Sequence, residues 1–238
     1  MSNEIELVEI KKNQTGRGIL IENDGFIDSN QFISNQNRCV QEGIESTHDF
    51  NIPNPFIVSA VFQKYGIKNA NGRIYPEDVL RREVDKYMRL IQENRSFGEL
   101  NHPSSSSIDG GRISHIIREL HWEGKTLVGK MELCLSPGFI KYGIISTMGD
   151  MAANLILSGY KIGVSSRGLG SVEQDMRGQY IVGDDFELVC WDIVTDPSTP
   201  NAFIAQNEKD LSSYMENKET DKKGELSEKI EKLEMIIN

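Results

Sequence analysis

Apolar and polar positions along this chain alternate with two different periods, and the periods separate strands from helices. From Phe56 to Phe62 (FIVSAVF) the residues are β-branched or aromatic and follow Pro53 and Pro55, which predicts a buried strand. Between Glu77 and Asn94, Val79, Leu80, Val84, Tyr87, Met88 and Ile91 recur at helical spacing. Pro76 followed by Glu77 and Asp78 is a good start for that helix, since a missing N–H is harmless there and carboxylates favour the positive end of the dipole. Period-two patterns return at ISHIIREL (113–120), TLVGKMELC (126–134) and QYIVGDDFELVCWDIV (179–194), with Gly-containing turns such as Glu123-Gly124-Lys125 between them. They predict an antiparallel sheet or a small barrel. A helix over GDMAANLILSG, closed by Gly159, delivers the chain to a further strand around Ser165.

Three regions follow. Residues 1–50 mix short apolar pieces such as Ile19-Leu20-Ile21 with Asn, Gln, Gly and Asp, and read as a loosely structured leader with room for a short strand or hairpin; His48 there is a surface residue. Residues 51–207 form the domain. Residues 208–238 are a charged linker ending in a short amphipathic helix, with Leu226, Ile230, Leu233 and Ile237 at helical spacing. The formal net charge of −10 argues against a nucleic-acid partner, which needs a basic stripe. Cys39, Cys134 and Cys190 suggest neither a disulfide framework nor a cysteine metal site and suit a reducing cytosol. The absence of a spanning apolar run or signal-peptide pattern leads us to expect a soluble intracellular protein with no membrane partner.

Two stretches carry candidate chemistry. GVSSRGLGS (163–171) sets two hydroxyls and an arginine among glycines, which let backbone approach a ligand closely. GELNHP (98–103) places His102 before a proline and a run of serines, and histidine is the usual base for a serine hydroxyl. Ser165 and Ser166 cannot both address one cleft if they lie on a strand, because neighbouring side chains point to opposite faces. The loop SSSSIDGG (104–111) is expected to be exposed and to form a wall of the cleft. Arg73 and Tyr75, beside the turn NANG (69–72), could contact substrate, but polar residues at a turn read rather as solvated.

Together, GELNHP, GVSSRGLGS, the strand ending DIVTDPSTPNA (192–202) and NGRIYP (71–76) resemble the prohead core proteases of large tailed bacteriophages, over roughly residues 55 to 205. That family is similar in fold to the herpesvirus assemblins. The resemblance implies an α+β fold, a mostly antiparallel β-barrel surrounded by helices. It also implies a serine endopeptidase that cleaves scaffold or core and capsid proteins, and itself, inside the prohead in the host cytoplasm, with self-association and without a metal or other cofactor. It puts the nucleophile on Ser165 and the base on His102. Asp192 is the third member, with His115 as the alternative, since assemblins use a second histidine there. Arg167 and the N–H of Gly168 become candidates for the oxyanion, with Ser166 as packing or oxyanion support; Arg167 could equally hold an acidic substrate side chain or pair with Glu99. The family cuts after Glu with Leu or Ile two residues before it. The triplets Leu7-Val8-Glu9, Leu20-Ile21-Glu22 and Leu226-Ser227-Glu228 match this in the tails. A non-catalytic core or scaffold component with the same fold is the alternative. Metal-assisted hydrolysis through His102, His115 and His121 lacks a ligand-spacing motif.

Overall fold

The computed structural model describes residues 8–22, 52–205 and 208–215. Its order is β1 (Gly16–Ile21), β2 (Ile57–Lys64), β3 (Arg73–Ile74), α1 (Glu77–Gln92), β4 (Phe97–Glu99), β5 (Ile113–Glu123), β6 (Thr126–Leu133), α2 (Pro137–Tyr142), α3 (Met148–Leu157), β7 (Gly163–Gln174), β8 (Tyr180–Val182), β9 (Glu187–Val194), β10 (Ile204–Ala205) and α4 (Glu208–Met215). The architecture is α+β, with two five-stranded sheets. One runs β10-β2-β6-β5-β4; the other runs β1-β7-β8-β3, with β9 also paired to β7.

The expected barrel is not there. Among the described residues the two sheets pack on each other, but their backbone pairing is limited to isolated bridges, Leu100 with Ile193 and Gly163 with Phe203. The strands that would have to close the cylinder, β3 and β10, are two residues long, and β4 is three. Such short edges end the ladder before it can join.

β7 is the spine. β9 pairs antiparallel along its first half, while β1 and β8 pair along its second. So a piece of the N-terminal leader, Gly16–Ile21, is built into the same sheet as the Ser165 strand. The segment 113–134 forms one long hairpin, β5 with β6, as the alternation predicts.

Helix α1 covers this sheet with Val79, Leu80, Val84 and Tyr87, and its N-cap is Pro76, whose carbonyl accepts from Leu80 N–H at 3.0 Å. Tyr87 and Phe62 both meet the Trp191 ring edge-on, with centroids 5.0 and 5.6 Å away. The Trp191 indole N–H also donates to Gln63 at 3.2 Å. Trp191 thereby fixes β9 in the core, and alternation turns its neighbours Cys190 and Asp192 to the other face.

The helix predicted over 149–159 is α3. It opens on a capping box, in which Thr147 accepts from Asp150 N–H and Asp150 accepts from Thr147 N–H, and Gly159 follows it at φ +78°. The short helix α2 and strand β4 escape the sequence reading because two turns or three residues show no period. The amphipathic pattern at Leu226–Ile237, with His48 and Cys39, lies outside the described residues. No helix among the described residues is long and apolar enough to cross a membrane.

The capping box yields a direct check. Thr147→Ala should cost about 1 kcal/mol, read as a lower denaturation midpoint with an unchanged m-value; no change would mean that the box does not set the entry to β7.

Candidate active site

The GELNHP segment is shaped to return a histidine onto β9. Gly98 is needed for contact: a Cβ there would lie 2.1 Å from the Trp191 carbonyl and 2.4 Å from the His115 ring. Asn101 takes φ +66°, a left-handed conformation that Asn tolerates better than most residues, and its N–H donates to the Ile193 carbonyl at 2.8 Å. This turn carries His102 back so that its Nδ1 lies 2.6 Å from Asp192 Oδ2, with the imidazole 1% exposed and the carboxylate wholly buried.

Asp192 is heavily supported. Its Oδ1 accepts from Glu99 N–H at 2.9 Å, and its Oδ2 accepts from Arg167 Nε at 2.9 Å. Burial alone would push this acid up. The bond from His102, the charge of Arg167 and the Glu99 N–H outweigh it and hold Asp192 down at about 2. Next to it the Cys190 thiol is pushed up by burial and by Asp192, so it stays protonated and donates to Asp192 at 3.3 Å.

Arg167 is fully buried with its guanidinium turned away from any open cleft. It bridges Asp192 and Glu99, the latter at 3.2 Å, and donates to the carbonyls of Ser105 at 2.6 Å and Ser107 at 3.2 Å. Of the three roles open to it, the pairing with Glu99 is the contact observed. Its grip also ties the segment 104–107 to the Asp192–Glu99 network through the Ser105 and Ser107 carbonyls. Glu99 closes the network, taking Arg112 Nε at 3.0 Å and Asp109 N–H at 2.8 Å. Two cations, Arg167 and Arg112, face two anions, Asp192 and Glu99, in this network.

On β7, Ser165 is the cross-strand partner of Asp192, and Ser166 that of Trp191. Paired residues share a face, so Ser165 lies on the His102 side and Ser166 on the opposite one, where its hydroxyl meets the Tyr75 phenol. The Ser165 hydroxyl does not reach the imidazole. It donates instead to the main-chain carbonyl of Glu22, while His102 Nε2 is buried with no hydrogen-bond partner among the described residues. Gly168 lies inside the sheet between Leu20 and Leu188, with the Phe186 ring where a side chain would be. The N–H directed at the Glu22 carbonyl is that of Ser198, at 3.3 Å.

Glu22 was missed as a site residue. Its side chain is 1% exposed and its carboxylate collects five donors: Arg73 Nη1 at 2.8 Å and Tyr75 OH at 2.7 Å on Oε1, and Asn69 Nδ2 at 2.6 Å, Asn71 Nδ2 at 2.9 Å and Ser198 Oγ at 2.7 Å on Oε2. Arg73 and Tyr75, expected in solvent, are each 2% exposed. Burial would lower Arg73, but Glu22 and Tyr75 raise it; burial and Glu22 together hold the Tyr75 phenol well up. The Leu20 side chain, wholly buried, sits among Tyr75, Val79, Leu80, Val172 and Phe186. The signal available in the sequence was the triplet Leu20-Ile21-Glu22 together with the donor-rich run NANGRIY.

The other two described histidines have other partners. His115 bonds Ser114 Oγ at 2.9 Å from a fully buried position, and His121 lies exposed between Glu119 and Glu123. Burial lowers His115 to about 4 against an ordinary 6.5, more than the Asp192 charge raises it. The unfolded chain therefore binds this proton first, so the contribution of His115 to stability is complete above pH 6.5 and is lost as pH falls toward 4. Over that window the wild type should lose about 3 kcal/mol of unfolding free energy relative to His115→Leu; parallel curves for the two proteins would contradict the assignment.

The sequence profile described as prohead core protein serine protease matches residues 20–213. The prohead core protein protease of enterobacteria phage T4 is 32% identical over 153 residues, which are 63% of this chain and 68% of that protein. The solved structure of the bacteriophage T4 capsid assembly protease is similar at a TM-score of 0.53 and 29% identity, over 59% of this chain and 82% of that one.

Proposed function

Because the chain belongs to the prohead core protein serine protease family, we propose that it is a serine endopeptidase in which Ser165 attacks, His102 carries the proton and Asp192 holds the ring, and that one of its substrates is its own Glu22–Asn23 bond. The observation that carries this is the hydroxyl of Ser165 on the carbonyl of Glu22, in a residue triplet of the kind the family cuts.

Ser165 Oγ turns from the carbonyl oxygen toward the carbonyl carbon and gives its proton to Nε2 of His102, which has no hydrogen-bond partner among the described residues. Asp192, ionised at about 2, keeps the proton on Nδ1 and stabilises the imidazolium that forms. Negative charge then develops on the Glu22 oxygen, which the Ser198 N–H already addresses. His102 returns its proton to the departing amine of Asn23, leaving an ester between Ser165 and Glu22. Water, deprotonated by the same imidazole, cleaves that ester and frees the Glu22 carboxylate. Arg167 has no part in these transfers; it keeps Asp192 charged and the 104–107 bends in place.

In trans the same machinery acts on capsid and scaffold or core proteins within the prohead, at Glu preceded two residues earlier by Leu or Ile. The triplets Leu7-Val8-Glu9 and Leu226-Ser227-Glu228 are further self-processing sites, lying partly or wholly outside the described residues. A non-catalytic core component would keep every contact above and leave these bonds intact.

Incubation of the full chain followed by N-terminal sequencing separates the two readings. A new terminus at Asn23 is expected from the wild type and from Ser166→Ala, and none from Ser165→Ala or His102→Ala. Loss confined to Ser166→Ala would move the nucleophile. Asp192→Asn should slow the cut by about 10⁴-fold, as expected when the imidazole tautomer is wrong.

A further inference from the structure

We propose that the Asn69–Tyr75 turn and Ser198 are the pocket that reads the residue before the cut as an ionised glutamate, and that Arg73 is the residue setting this choice. The inference rests on the serine endopeptidase reading and extends it to the side chain being recognised.

The wall of the pocket is built almost wholly of donors. Asn69 offers its Nδ2 to Glu22 while its Oδ1 is spent on the N–H of Arg73 at 2.9 Å, so the amide cannot present its acceptor to the ligand. Gly72, at φ +81°, closes the turn that brings Asn69, Asn71 and Arg73 to one side, and its N–H donates to the Asn69 carbonyl at 3.0 Å. Arg73 supplies the only full positive charge among the five donors, and its guanidinium also reaches the carbonyls of Ile10 and, at 3.4 Å, Ile21. Ser198 serves both ends of the residue, with its hydroxyl on the carboxylate and its N–H on the carbonyl. Ala70 N–H bonds the Ser198 carbonyl at 2.9 Å, which locks the turn to the segment carrying that N–H.

A buried ion pair is weak support for stability, because desolvation of both charges offsets their attraction. The same arrangement is a strong device for selection, since a site built of donors leaves them unpaired when the wrong side chain enters. Gln would turn an amide N–H₂ against a wall in which only the Tyr75 and Ser198 hydroxyls could accept, leaving Arg73, Asn69 and Asn71 as opposed donors. Asp is shorter by one C–C bond, ~1.5 Å, and with its carbonyl held at Ser165 its carboxylate would fall short of the donors. A salt bridge serving the fold alone has no reason to set the main-chain carbonyl of its glutamate against a serine hydroxyl.

The test uses the full chain after self-processing, with peptides that differ only at the position before the cut: Leu-Ile-Glu-Asn, Leu-Ile-Gln-Asn and Leu-Ile-Asp-Asn cores. The wild type should favour Glu over Gln and Asp by ~100-fold or more in kcat/KM. Arg73→Gln should bring the Glu:Gln ratio below about tenfold through loss on the Glu peptide, while Arg73→Lys keeps most of it. Asn69→Asp provides a second variant of unchanged shape: it preserves the acceptor for Arg73 N–H, opposes the incoming carboxylate with charge, and should push the ratio toward Gln. Equal rates on Glu and Gln in the wild type, or a ratio that neither variant moves while all rates fall together, would overturn the pocket. Ser165→Ala in the same assay reports on the other claim: cleavage surviving there with the ratio intact would remove the serine mechanism and still support the pocket.

Discussion

A carboxylate with no access to water has to be matched donor by donor, and Glu22 is matched by groups drawn from two distant parts of the chain. Asn69, Asn71, Arg73 and Tyr75 come from the turn before α1, and Ser198 from the segment after β9. Burying that charge unpaired would cost several kcal/mol, so the turn, the segment and the end of β1 are constrained to one another. The immediate result is positional. With the carboxylate fixed at one end and Leu20 fixed in an apolar recess, the main-chain carbonyl between Glu22 and Asn23 has one place to go, and that place is the Ser165 hydroxyl.

A second buried carboxylate, Asp192, does the equivalent work on the Ser165 face of β7. It orients His102 and is itself oriented by Arg167 and the Glu99 N–H. The alternation of a strand explains why two adjacent serines belong to two environments. Ser165 faces His102 and Asp192, and Ser166 faces Tyr75 in the Glu22 cluster. The sheet thus keeps the His102–Asp192 pair on one side and the Glu22 carboxylate cluster on the other, joined where the Ser165 hydroxyl meets the Glu22 carbonyl.

Local pattern made much of this legible. The long helix α1, the β5–β6 hairpin and the α3 helix follow from periodicity and capping; of the residues the resemblance implies, the fold sets His102 against Asp192 and sets the Ser165 hydroxyl on the Glu22 carbonyl instead of on the ring. Closure into a barrel did not follow, because edge strands of two or three residues leave no period to read. Arg73 and Tyr75 were placed in solvent because polar residues beside a turn usually are; their burial depends on Glu22, some fifty positions away and in a stretch read as a leader. For Arg167 the sequence leaves an oxyanion role, an acidic substrate and Glu99 open, and the Glu99 pair is the one found; its further bond to Asp192 depends on the β7–β9 register, which no local pattern displays. Ser198 was seen only as part of a motif, and nothing local distinguishes a turn serine from one that serves a carbonyl and a carboxylate together.

The central claim is that one hydroxyl, on Ser165, is the nucleophile. It is tested most directly by exposing the self-processing full chain to a fluorophosphonate and locating the adduct by tandem mass spectrometry. The account predicts a single modified serine, Ser165, in molecules whose chain begins at Asn23. An adduct on Ser166, or complete processing with neither serine modified, would contradict it.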